Sequence, residues 1–154
     1  MGLPTILLVE DDSNDEELGR LALEANSIKC DLVIAHDGPQ ALDYLWARGG
    51  YAMREAGILP KVVLLDLKLP KLSGIEVLRQ IRDHPRTRHL PVVIFTSSKE
   101  ESDLIECYRL GANAYVQKPI DFAEFSAALQ QIGIFWLIAN RTLSNKLSAH
   151  EQTA

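Results

Sequence analysis

Acids, hydroxyls and one lysine recur at one kind of place in this chain, directly after a short apolar run. "TILLV" is followed by Glu10, Asp11 and Asp12, "KVVLL" by Asp66, "VVIF" by Thr96 and Ser97, and "AYVQ" by Lys118 and then Pro119. Three or more carboxylates within a few ångströms repel one another unless a cation sits among them. Hard oxygen donors with open positions suit Mg²⁺, which keeps waters and shares phosphate oxygens. A carboxylate beside such a cation can attack phosphorus, while a lysine and a hydroxyl stabilise the phosphoryl oxygens as charge develops. Taken singly, each residue has a plainer role: Asp11 and Asp12 as helix caps, Thr96 as a strand residue, Lys118 as a solvated charge. Together they supply what one phosphoryl-transfer site requires.

The elements that must position them alternate strictly. Five apolar runs, beginning at "TILLV", "CDLVIA", "KVVLL", "LPVVIF" and "AYVQ", read as strands. The first helix carries Ser13 and Glu16 at capping-box spacing, with Leu18, Leu21, Ala22 and Ala25 on one face. The second has Pro39 in its first turn and Ala41, Leu42, Leu45 and Trp46 on one side. Ser73 with Glu76, Ser98 with Glu101 and Asp121 with Glu124 open the remaining three, and Gly111 closes the fourth. Alternation of this kind predicts an α/β fold, a doubly wound parallel sheet with helices on both faces. Ligands of such folds bind beyond the carboxyl ends of the strands, where the strand order reverses. All the residues named above fall on that edge.

Composition narrows the function. The 154 residues suit one globular domain, and a net charge of −5 without a Lys/Arg run argues against a nucleic-acid partner. Two cysteines, Cys30 and Cys107, with no CxxC pattern and no leader sequence, fit a reducing cytoplasmic setting. The apolar run at residues 132–139, "IGIFWLIA", reads as too short to span a bilayer, so no membrane partner is expected.

Over residues 4–132 the sequence resembles the receiver domains of two-component response regulators. "LLVEDD" is similar to the family's acidic start, "LLDLKLPKLSG" to its phosphoacceptor segment, "VIFTSS" to its switch hydroxyl, and "AYVQKP" to its aromatic-x-x-Lys-Pro element. The resemblance implies a flavodoxin-like sheet of strand order 2-1-3-4-5. It implies Asp66 as phosphoacceptor and a Mg²⁺ site built from Glu10, Asp11, Asp66 and the backbone carbonyl of Lys68, with Asp11 the direct acidic ligand. Thr96 and the amide of Ser97 would hold the phosphoryl group, Lys118 would pair with it, and Tyr115 would be the aromatic switch. The Lys118–Pro119 bond is cis in most of the family. By this reading the protein is no enzyme beyond its own phosphorylation and slow autodephosphorylation.

Two features exceed a minimal receiver. The connection "ARGGYAMREAGILP" before the third strand is longer than usual for an α/β unit, and a slack surface loop is its simplest reading. At the C-terminus, Ile132, Ile134, Phe135, Trp136, Leu137 and Ile138 would occupy nearly every side of a helix, more than one face can bury. The expectation is a receiver at 1–132 and a helical extension with a polar tail at 133–154, with Phe135, Trp136, Leu137 and Ile138 forming a homodimer interface. Both features resemble stand-alone receivers paired with bacterial and cyanobacterial phytochromes. The implied partner is a sensor histidine kinase, a phytochrome, and the output is a changed protein–protein surface. Two alternatives remain open. One is a chemotaxis-type regulator that binds a motor. The other is a Mg²⁺-dependent phosphatase of the haloacid dehalogenase kind, although that class wants an acid where Lys68 stands.

Overall fold

The computed structural model describes residues 2–25, 27–55 and 58–141. Five strands, β1 (Thr5–Val9), β2 (Asp31–Ala35), β3 (Val62–Leu65), β4 (Val92–Thr96) and β5 (Ala114–Gln117), form one parallel sheet of order β2-β1-β3-β4-β5. Helices α1 (Ser13–Ala25), α2 (Gly38–Leu45), α3 (Gly74–Asp83), α4 (Glu101–Arg109) and α5 (Phe122–Gly133) alternate with them. Strand side chains point to opposite faces with a period of two. Leu7, Val9, Val63, Leu65, Val92 and Ile94 accordingly pack with α2 and α3, while Ile6, Leu8, Val62, Leu64, Val93 and Phe95 pack with α1 and α5. The unbroken apolar runs of β1, β3 and β4 are those of strands covered on both sides.

Local chemistry explains the helix starts. Ser73 Oγ accepts from Glu76 N–H at 3.2 Å and an Asp121 carboxylate oxygen accepts from Glu124 N–H at 3.2 Å, as the capping spacing predicts. Two starts differ from expectation. Asp12, not Ser13, caps α1, its Oδ1 accepting from the amides of Asn14 (2.8 Å) and Asp15 (3.0 Å). Two hydrogen bonds to a charged acceptor displace the neutral hydroxyl one residue later. Ser98 stands outside α4, where its Oγ donates to an Asp103 oxygen at 2.7 Å and accepts from Glu100 N–H at 3.3 Å. The inward face of α1 also differs: Gly19, Ala22 and Leu23 are buried, whereas Leu21 and Ala25 are exposed. Gly111, at φ +97°, follows the end of α4 in the left-handed region, as its C-cap role requires.

The long connection after α2 is fastened rather than slack. It forms a 3₁₀ turn at Gly49–Tyr51, and Tyr51 packs edge-on against Tyr44 at 5.3 Å. Arg54 donates to the carbonyls of Tyr44 (2.7 and 3.0 Å) and Ile58 (2.6 Å), with its guanidinium 4.1 Å above the Tyr44 ring. A planar donor fork that satisfies two segments at once and stacks on an aromatic ring holds the excursion to α2. Beside it, Trp46 stacks on His84 at 4.6 Å, carries the Arg48 guanidinium at 4.5 Å, and donates from Nε1 to Thr87 Oγ1 at 3.4 Å.

At its other end α5 runs into a π-helical turn, Ile134–Ala139. The combined helix, Phe122–Ala139, has 18 residues and a mean hydropathy of 1.3, long and apolar enough by length and composition to cross a membrane. Residues 132–139 are therefore the end of a longer apolar helix, not an isolated short run. Phe125, Leu129 and Ile132 on that helix are buried in the layer beneath the sheet, as in the core helix of an α/β fold. The expected interface residues divide. Phe135 and Ile138 are exposed, at 50% and 76%, whereas Trp136 and Leu137 are half-buried against the chain's own core. The extension beyond residue 141 lies outside the described residues.

Candidate functional site

Each component of the site is held by backbone hydrogen bonds that continue the sheet past the strand ends. Glu10 N–H donates to Ala35 O at 2.9 Å, Asp66 N–H to Val9 O at 3.2 Å, and Lys118 N–H to Thr96 O at 2.7 Å. Behind Asp66, α3 begins so close that a Cβ on Gly74 would stand 2.1 Å from the Asp66 carbonyl oxygen. Only glycine admits that approach.

The side chains converge on Asp66. Its Oδ1 accepts from Thr96 Oγ1 at 2.8 Å and from Lys68 N–H at 3.3 Å, and its Oδ2 accepts from Lys118 Nζ at 3.0 Å. Lys118 also donates to Glu10 Oε2 at 2.7 Å and to Asp15 Oδ2 at 2.8 Å. Glu10, Asp66 and Thr96 are all buried, while Asp11, Lys68 and Ser97 are exposed at the rim. The Lys118–Pro119 bond is trans, unlike the isomer the resemblance implies, and Lys118 enters the site regardless.

Carboxylate oxygens of Glu10, Asp11 and Asp66 lie within 4.8 Å of one another. This all-oxygen set, with exposed Asp11 at its mouth, fits a hard divalent cation. Burial pushes the Glu10 carboxyl up to about 8, against the opposing pull of Lys118. Burial also presses Asp66 upward, but the Lys118 ammonium and the Thr96 hydroxyl outweigh it and hold that carboxyl below its ordinary value. Burial alone would lower Lys118, yet its bonds to Asp15 and Glu10 raise it, so it stays charged. Asp66, held low by Lys118 and Thr96 on the end of β3, is the carboxylate placed to act as a nucleophile.

Tyr115 OH donates to Ser98 O at 3.2 Å, and Ser98 N–H donates to Thr96 Oγ1 at 3.3 Å. A chain of contacts thus leads from Asp66 through Thr96 and Ser98 to Tyr115. The sequence pattern brought Glu10, Asp11, Asp66, Thr96 and Lys118 to one edge, and the structure brings them into contact or close to it. Asp15 joins the site without a sequence motif that marks it. Its only signal is an acid in the first turn of the helix after β1, which reads as ordinary helix-terminus chemistry.

Comparisons with known proteins agree with this geometry. Residues 6–130 match the family model described as the response regulator receiver domain. Response regulator Rcp1 of Synechocystis sp. is 39% identical over 132 residues, 86% of this chain and 88% of Rcp1. The crystal structure of the Mn²⁺-bound form of Rcp1 superposes with a TM-score of 0.83 at 35% identity, covering 92% of this chain and 99% of that one. The phosphorylated cyanobacterial phytochrome response regulator RcpA gives a TM-score of 0.86 at 34% identity, covering 93% and 100%. The bacteriophytochrome response regulator AtBRR is 49% identical, with a TM-score of 0.73 and coverage of 92% and 100%. The sheet order, the Asp66 cluster and these matches agree, and the chain belongs to the response regulator receiver domain family.

Proposed function

We propose that this protein is the receiver of a phytochrome-linked phosphorelay, taking a phosphoryl group from a histidine kinase onto Asp66. The observation that carries the reading is the placement of Asp66, buried on the end of β3 with Thr96 Oγ1 and Lys118 Nζ both at hydrogen-bond distance. In the transfer, an Asp66 oxygen forms a bond to phosphorus as the phosphorus–nitrogen bond of phosphohistidine breaks, and the imidazole leaves with the electron pair. Lys118, Thr96 and the Ser97 amide receive the phosphoryl oxygens. Glu10, Asp11, Asp66 and the Lys68 carbonyl would hold Mg²⁺, which supplies positive charge against the incoming phosphoryl group. Names of similar proteins, RcpA and AtBRR among them, support a phytochrome as the sensor.

The chain is read as a receiver at 1–132 with an extension at 133–154, acting in the cytoplasm, where Cys30 and Cys107 stay reduced as the unpaired thiols seen here. Output passes through protein contacts, with a homodimer formed at Ile134, Phe135 and Ile138, which are exposed near the end of the Phe122–Ala139 helix. The test is labelling with acetyl phosphate and Mg²⁺, followed by intact-mass measurement. Wild type gains one phosphoryl group and Asp66→Asn gains none; a labelled Asp66→Asn overturns the assignment. Phosphotransfer from a panel of purified kinases then identifies the sensor, and preference for a kinase that is not a phytochrome overturns that part.

A further inference from the structure

Strand register sets His36 level with Asp66. Ala35 pairs with Val9 and Val9 with Leu65, so the residues that follow, His36, Glu10 and Asp66, stand in one row along the carboxyl edge. Neighbouring strands lie about 4.8 Å apart, which puts the backbone of His36 roughly 10 Å from that of Asp66. A protein docked over Asp66 covers about 800 Å² of this surface, a disc of roughly 16 Å radius, and His36 falls inside it. A small phosphodonor such as acetyl phosphate reaches Asp66 without touching His36.

The ring is fixed in that position from three sides. His36 Nε2 meets Glu16 Oε1 of α1 at 2.7 Å. A carboxylate only accepts, so Nε2 carries the proton, and Nδ1 has no partner among the described residues. The side chain is nevertheless 58% exposed. His36 N–H donates to Gln40 Oε1 at 2.7 Å, which turns Gln40 Nε2 towards Tyr51 OH at 3.0 Å. Tyr51 belongs to the long connection after α2, so that segment reaches the carboxyl edge through two hydrogen bonds. From the loop after Asp66, Lys71 Nζ stands 3.1 Å from Asp37, and a Cβ on Gly38 would lie 2.8 Å from Leu72 Cβ. An exposed side chain already ordered by its neighbours loses less freedom when a partner docks.

We propose that His36 is a contact residue for the kinase that donates the phosphoryl group, its Nδ1 accepting from a donor on that protein. Gln40 and Tyr51 are positioning residues, and through them the connection after α2 takes part in donor recognition. The proposal rests on the reading of Asp66 as acceptor from a histidine kinase, and the test separates the two. The full chain is compared as wild type, His36→Ala, His36→Gln, Tyr51→Phe and Met53→Ala. Each is labelled with acetyl phosphate and with the phosphorylated kinase of the panel that labels wild type fastest.

The readout is kcat/KM with the kinase divided by the acetyl-phosphate rate. His36→Ala should lower this ratio roughly five- to thirtyfold, chiefly through KM, the range for an interface side chain that matters. Tyr51→Phe should lower it by a smaller factor. His36→Gln, whose amide can donate to Glu16, should recover part of the loss. Met53→Ala, on the same connection and 99% exposed, should leave it unchanged. An unchanged ratio in His36→Ala overturns the proposal, as does an equal fall in Met53→Ala. A fall in His36→Ala with none in Tyr51→Phe removes the connection from donor recognition. A wild type that acetyl phosphate fails to label overturns the Asp66 reading. One labelled by acetyl phosphate and by no kinase leaves Asp66 standing and overturns the kinase reading, and the proposal with it.

Discussion

Thr96 and Asp66 are joined by a 2.8 Å hydrogen bond, Thr96 Oγ1 donating to Asp66 Oδ1 between the ends of two neighbouring strands. The hydroxyl is buried and so close to the nucleophile that a phosphoryl oxygen on Asp66 would fall within its reach. Removing it in Thr96→Ala should slow acetyl-phosphate labelling roughly tenfold or more, as loss of one oriented donor does elsewhere. Thr96→Ser should keep most of the rate. Equal rates for wild type and Thr96→Ala in a quenched-flow assay would show that the hydroxyl serves the fold alone.

Dephosphorylation depends on the approach of water over the rim. Lys68 is exposed two residues beyond Asp66 and is free to obstruct that path, whereas Ser98 is 5% exposed and engaged with Asp103. With its hydroxyl held by Asp103, Ser98 offers no carboxylate to orient a water on that path. Lys68→Asn should shorten the lifetime of the phosphoryl group. Ser98→Glu should instead destabilise the protein by about 2–4 kcal/mol in urea unfolding, since it forces an acid into a buried position beside the Asp103 carboxylate.

Asp37 gives a pH signature. Its side chain caps α2 by accepting from Gln40 N–H at 2.8 Å, and that bond, joined by Lys71 and opposed by burial, holds its carboxyl below the ordinary 3.8. A depressed acid stabilises the fold fully above its unfolded value, and the contribution disappears as pH falls through the folded value. Asp37→Ala should cost about 1 kcal/mol near neutrality. The gap to wild type should close as pH drops below 3.8. A gap that stays constant into acid would mean the carboxylate charge contributes nothing.

The C-terminal helix separates assembly from folding. Phe135→Asp with Ile138→Asp should give a monomer in sedimentation equilibrium with unchanged labelling, because both side chains are exposed. Trp136→Ala removes a ring packed on the chain's own core and should lower stability by about 1–3 kcal/mol. A dimeric double variant would place the interface elsewhere.

Much of this was legible in the chain because the site is one-dimensional in its logic. β1 and β3 end on the last residue of their apolar runs and β4 and β5 on the polar residue just after, so the positions of Glu10, Asp66, Thr96 and Lys118 follow from local pattern. The caps at Ser73 and Asp121 follow in the same way, from spacing alone. What stayed hidden depends on competition among partners distant in sequence. Ser13 loses the cap of α1 to Asp12, and Asp15 meets Lys118 across 103 residues. Trp136 and Leu137 are half-covered by a core that periodicity cannot weigh, and Arg54 fastens its segment through carbonyls that any residue could have supplied.

The two tryptophans lie in different layers, Trp46 against the α2 and α3 side of the sheet and Trp136 against the α1 and α5 side. Each indole also sits at one of the two features that enlarge the minimal receiver, the fastened connection and the last helix. Intrinsic emission is therefore a built-in pair of optical reporters. With Trp46→Phe or Trp136→Phe, the remaining fluorophore reports one side of the sheet alone, so a single beryllofluoride titration per variant reads which side responds to Asp66.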